Sequence, residues 1–157
     1  MKLMLRHLMQ LSVYALLAML VACGGPGNEL SGSIGESFSL DFDYARIYKQ
    51  DLNLRIEYLK KLSGGDGKVA KVVVDTRDLI IDSGAVIRGE TFNEYVTVER
   101  VMSTGGDFPP MKSGSIRFED WNFKNGGKVS GEFDILFENG RTLSGNFENK
   151  VQEIATD

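Results

Sequence analysis

Residues 115–149 read SIRFEDWNFKNGGKVSGEFDILFENGRTLSGNFEN. Short runs of alternating apolar and polar residues are separated by Asn-Gly-Gly and Glu-Asn-Gly, the pattern of antiparallel strands joined by tight turns. The spacing predicts a three-stranded meander over 115–124, 129–137 and 141–149. Three-residue loops at Asn125-Gly126-Gly127 and Glu138-Asn139-Gly140 would carry glycine in the left-handed position. The second loop sets a register that the side chains can test. Ile135 falls opposite Leu143, Phe133 opposite Gly145 and Gly131 opposite Phe147, so odd-numbered residues share one face throughout. A two-residue Asn139-Gly140 loop would set Phe133 against Asn146 and scatter that face. At the first loop the same reasoning pairs Trp121 with Gly131 and Phe123 with Val129. Ile116 and Phe118 have the opposite parity to Trp121 and Phe123, which requires a bulge near Glu119-Asp120. Ser130-Gly131-Glu132-Phe133 and Ser144-Gly145-Asn146-Phe147 nearly repeat, because a ring can lie over the bare backbone of a glycine on the neighbouring strand.

Upstream, the same period of two recurs. Phe38, Leu40, Phe42 and Tyr44 alternate with Ser39, Asp41 and Asp43. Leu52, Leu54, Ile56 and Tyr58 alternate with Asn53, Arg55 and Glu57, so both runs are predicted as half-buried strands. A helical reading of the second, through Leu52, Ile56, Leu59 and Leu62, is weaker than its unbroken alternation. Residues 63–67 form a glycine-rich loop. Residues 68–75 contain Val72-Val73-Val74, apolar on both faces as in a central strand. Residues 79–81, 85–88 and 95–101 complete the set. Eighteen glycines against three prolines fit the same class. About eight or nine short strands with glycine turns make an all-β domain, a single antiparallel β-sandwich or small β-barrel, between which the sequence does not choose.

The N-terminus has a different character. Lys2, Arg6 and His7 precede the apolar run 8–21, which is broken only by Gln10 and Ser12 and ends at Ala22. This is the layout of a secretory signal, and the apolar run is shorter than the roughly 20 residues of a spanning helix. Leu20-Val21-Ala22-Cys23 resembles the lipobox of bacterial lipoprotein precursors, and Cys23 is the sole cysteine. The resemblance implies cleavage before Cys23 and lipid on its sulfur, which would hold the chain on a membrane at about 0.8 kcal/mol per buried CH₂. Gly24, rather than Asp, after the cysteine implies the outer membrane over the inner. The expected organisation is thus a signal peptide (1–22), an anchor and flexible tether (23–29) and a β domain (30–157). Six tether residues reach at most about 20 Å, so the domain would ride close to the bilayer.

Removing the 22-residue leader from 157 residues leaves 135, enough for one domain with one core. The leader takes Lys2 and Arg6 from 18 basic residues, leaving 16 against 22 acidic ones, a net charge near −6. Such a domain has no electrostatic reason to bind nucleic acid. The sole histidine, His7, leaves with the leader and Cys23 becomes the anchor. Metal sites built from His and Cys, and Ser-His-Asp or Cys-His nucleophiles, are excluded from the mature chain. No cofactor is expected.

Three segments remain as candidates. Asp41 and Asp43, and likewise Glu119 and Asp120, offer paired carboxylates for an envelope hydrolase, though such pairs more often line a solvated strand. The 64–67 glycines lack both the Lys-Ser/Thr of a phosphate loop and the ligand series of an EF-hand. Phe108, Pro109, Pro110 and Met111 form a stiff apolar loop tip suited to a partner, unless Phe108 and Met111 tuck under the loop to cap the core. The leading expectation is a lipid-anchored, non-enzymatic binding or structural module with an envelope protein as partner. A carrier with an apolar barrel cavity is the alternative.

Overall fold

The protein is described from a computed structural model over residues 27–155. The leader, Cys23 and residues 24–26 lie outside the described residues. The elements run β1 (Glu29–Ser31), β2 (Tyr44–Gln50), β3 (Asn53–Leu62), β4 (Gly65–Asp75), β5 (Val86–Arg88), α1 (Gly89–Tyr95), β6 (Val96–Val101), β7 (Met111–Trp121), β8 (Lys128–Phe137) and β9 (Thr142–Glu153). A single 3₁₀ turn, Ser33–Glu36, follows β1 and buries Ile34.

The strands form one curled, mixed sheet, a half-barrel, in the order β5-β7-β8-β9-β2-β3-β4-β6. Two antiparallel blocks meet where the far end of β9 runs parallel to β2, Ile47 opposite Val151. Nearer its start, the same margin of β9 is taken by β1, Leu30 opposite Gly145. Folded structure therefore begins earlier than the tether boundary read from the sequence. Asn28 is buried and exchanges two hydrogen bonds with the Glu148 backbone, at 3.2 and 3.0 Å. The margin strands β5 and β6 are consecutive in the chain, and α1 links them and packs on β5, β6 and β7.

The second turn of the meander has the register that the side chains require. Ile135 pairs with Leu143, Phe133 with Gly145 and Gly131 with Phe147. Gly140 takes φ 80° in the turn. The bulge also falls where parity demands it, between Phe118 and Asp120. The first turn differs from expectation. Phe118, not Trp121, lies opposite Gly131, and Trp121 faces Val129. The cause is a longer connection: Gly126 N donates to Val151 O and Val151 N to Gly127 O, both at 2.7 Å, so these glycines are drawn onto β9. Trp121 and Phe123 stack on each other, centroids 5.0 Å apart, at the margin of the core.

Residues 53–62 are a strand, as the alternation predicts, but 38–43 are not, and β2 begins only at Tyr44. Burial still alternates there, because Phe42 packs edge-on to Tyr58 at 5.0 Å and Phe38 edge-on to Phe108 at 5.4 Å. What is missing is a ladder partner: a single backbone–backbone bond, Asp43 N to Leu59 O at 2.8 Å, and the side chains of Asp41 and Asp43 on Lys60 and Lys61 tie the segment to β3. Residues 79–81 form no strand, and Ile80 is 98% exposed. Helix α1 replaces an unassigned stretch, its Phe92 fully buried. The core is continuous across the curl. Tyr58 from β3 and Phe118, Phe133, Phe137 and Phe147 from β7, β8 and β9 are almost wholly buried, with edge-on contacts between Tyr58 and Phe133 and between Phe118 and Phe147. The Tyr58 hydroxyl donates to Asn146 O at 2.7 Å, spanning the two blocks.

Candidate functional site

The four carboxylates read as possible acid–base groups are all exposed. Lys60 Nζ lies 2.6 Å from Asp41 and 3.4 Å from Asp43. The Asp43 carboxylate also accepts the Lys61 amide at 2.8 Å, the main reason its pKa is lowered. Asp120 accepts hydrogen bonds from Lys128 at 2.8 Å and from the Ser130 hydroxyl at 2.8 Å, and both lower its pKa. These groups hold a loop to a hairpin and brace the bulge. Asp43 and Asp120 have their pKa lowered, the opposite of the raised value that acid catalysis would need. Among the described residues there is no cluster of three or more His, Cys, Asp or Glu placed to hold a metal. The 64–67 glycines belong to the β3–β4 hairpin, where Asp66 accepts the Tyr44 hydroxyl.

The apolar loop tip has a different environment from that of a free tip. Phe108 is buried, edge-on to Phe38 and 5.5 Å from Phe137. Pro109 and Met111 are half-buried and Pro110 is exposed. Pro110 O accepts the Glu138 amide at 2.9 Å, which pins the loop to the β8–β9 turn.

The same packing surrounds a residue that the sequence reading passed over. On β6 the inward positions are Val96, Val98 and Arg100, and Arg100 is only 6% exposed. Its guanidinium carbon lies 5.5 Å from the Phe38 centroid and 5.9 Å from that of Phe108. Nη1 donates to Ser39 O and Val69 O, each at 3.2 Å. No carboxylate pairs with it among the described residues, Nε is buried without a partner, and desolvation lowers its pKa. The signal was available in the alternation of 95–101, since an arginine in phase with Val96 and Val98 must point inward.

Arg100 opens on a cleft of about 360 Å³ lined by Val98, Glu99, Val101, Asp107 and Phe108. Val101, half-exposed, separates it from a second hollow of about 540 Å³ between Met102 and the β3–β4 turn. A third cleft, of about 350 Å³, lies across β7, β8 and β9, and its Asp134 and Ser144 bond each other at 2.6 Å. Of the three, the β6 margin alone presents a buried cation lacking a counter-charge.

No protein family, curated protein or solved structure matches the chain.

Proposed function

We propose that the chain is a lipid-anchored protein of the bacterial cell envelope, on the outer membrane, whose β domain is a non-enzymatic binding module contacting an envelope protein through the β6 margin. The observation that carries this reading is the cleft at the margin of the sheet, whose lining includes half-exposed Val101 and the buried Arg100, which has no carboxylate partner among the described residues. Burying a charge without a partner costs several kcal/mol, a cost that complexation can offset. The lipobox-like Leu20-Val21-Ala22-Cys23 supplies the anchor. Because Gly27 and Asn28 already pack on Glu148, only Gly24, Gly25 and Pro26 would separate the lipid from the folded domain. Three residues extend to about 10 Å, so partners lie beside the membrane. The net negative domain is not built for nucleic acid.

Two measurements test this reading. Intact mass of the envelope-extracted protein should give a chain starting at Cys23 with added acyl mass, and Cys23→Ser should remove the protein from the detergent phase. Crosslinking in intact cells should capture a reproducible protein partner. An uncleaved or unacylated chain would overturn the anchor, and absence of any partner would overturn the binding module.

A further inference from the structure

We propose that the end of the half-barrel bearing Ile80 and Leu52 is a lipid-contacting surface, with Ile80 entering the bilayer that anchors the chain; this rests on the lipid-anchor reading and gives the anchored domain an orientation. Among the described residues the large apolar side chains left exposed are Leu52, Leu62, Val86 and Val101, at 40–51%, and Ile80, at 98%. Ile80 lies on the connection from β4 to β5. Its neighbours Leu79 and Ile81 pack against the core, which leaves Ile80 projecting from it. The connection is tied at both ends. Thr76 N donates to Leu52 O at 2.9 Å, and Gly84 N donates to Phe118 O at 2.7 Å. Ser83 Oγ accepts the Trp121 amide at 3.0 Å.

The register directs the start of the chain toward the same end. β1 runs antiparallel to β9, Glu29 opposite Asn146, so the residues before it lead along β9 toward Glu153. β2 runs parallel to β9 with Lys49 opposite Glu153, so the β2–β3 turn with Leu52 lies just past that end. Trp121, in line with Val129 and Asn149, brings the end of β7 there as well. Asn28 is bonded to Glu148. From Glu148 to Glu153 is about 17 Å of strand, and the chain from Gly27 back to Cys23 reaches at most about 14 Å. A lipid on Cys23 can therefore draw this end of the barrel to the membrane. The opposite end, with Leu62 and Val101, stays away from it, where a protein partner can reach the β6 margin.

The chemistry separates this end from the wall beside Gly27. That wall carries Glu119, Glu132 and Glu148, which stay in water. At the Ile80 end, half-buried Trp121 and Phe123 stack with Lys49 Nζ 5.9 Å from the Phe123 centroid, a combination suited to the headgroup level. Exposed Asp78 and Asp82 flank Ile80 and limit insertion to the apolar tip.

The test uses the acylated protein extracted from the envelope. Lipidation consumes the sole thiol, so Ile80→Cys, Leu52→Cys or Val101→Cys supplies a single site for a nitroxide label. In vesicles of phosphatidylethanolamine and phosphatidylcholine, relaxation by a water-soluble nickel chelate should be at least about fivefold weaker at 80 and 52 than at 101. Ile80→Ser, which removes no packing, should leave flotation with vesicles and the urea midpoint unchanged and yet raise relaxation at 52 several-fold. In intact cells a photo-crosslinker at 80 should add lipid mass to its own peptide. A protein adduct at 80, or relaxation at 80 equal to that at 101 in protein that still floats, would overturn the lipid-contacting surface and leave the anchor standing. A chain that carries no acyl mass and does not float would overturn the anchor and this surface together.

Discussion

Gly131 and Gly145 are the residues on which the meander turns. Phe133 lies over Gly145, where an added Cβ would come within 2.5 Å of the ring, and Phe147 lies over Gly131. A Cβ at Gly131 would also overlap the Arg117 carbonyl on β7, and backbone cannot move aside as a side-chain tip can. Gly131→Ala is expected to destabilise by about 3 kcal/mol, at the upper end of overpacking costs. Gly64→Ala, at a turn where an added Cβ meets nothing within 4 Å, should change stability by less than about 1 kcal/mol. Paired urea melts check the contrast. Tyr58→Phe should cost about 1 kcal/mol by removing the hydroxyl bond to Asn146 O, with no change in packing. The glycine–aromatic pairs were legible in the sequence because each is local to one hairpin and repeats. That Phe108 could tuck under its loop was one of two readings the sequence offered, but the neighbours it meets were not legible, because Phe38 and Phe137 are remote in sequence.

At the scale of elements, two kinds of device hold the strands in place. Apolar anchoring is clearest at α1, which has one fully buried side chain, Phe92, seated over Gly114 of β7. Phe92→Ala should cost about 3–5 kcal/mol and free the only element linking the two margin strands. Seven residues with one buried position carry no detectable helical period, so this helix was not visible beforehand. Charge does the rest. Asp43 takes the Lys61 amide, Asp75 the Arg77 side chain and amide, and Asp120 the Lys128 side chain; each has its pKa lowered below 3.8. A carboxylate whose pKa falls on folding contributes stability that is fully present above pH 3.8 and is lost as the pH drops through the folded-state value. Urea midpoints should therefore stay level from neutral pH down to about pH 5 and fall below about pH 4. Asp43→Asn with Asp120→Asn should flatten part of that fall, and an unchanged acid limb would show that these ion pairs are inert. The bulge that Asp120 braces was predictable from parity alone. The longer connection after it was not, because its glycines bond to Val151 on a strand the local sequence does not name.

For the whole molecule, the two antiparallel blocks are joined in the sheet by three residue pairs between β2 and β9, supported by the Asn149–Ala45 and Tyr58–Asn146 bonds, the Lys49–Glu153 ion pair and a shared core. That is why alternation established an all-β chain without distinguishing sandwich from barrel. Period and turns report each strand and its hairpin neighbour, whereas the curl depends on Ile47 meeting Val151 across a hundred residues. The half-barrel leaves two margins, one ending in β5 and covered by α1, the other ending in β6 and carrying the cleft over Arg100. On the proposed reading, a partner would meet the domain at that margin and not on the outer face of β8 and β9. The direct test is residue-resolved photo-crosslinking in intact cells, with the probe at Val101 or Asp107 on the β6 margin and, in parallel, at Ser144 on the outer face. The account predicts one discrete adduct from Val101 and Asp107 and none from Ser144. Adducts from Ser144 with none from the β6 margin would contradict it.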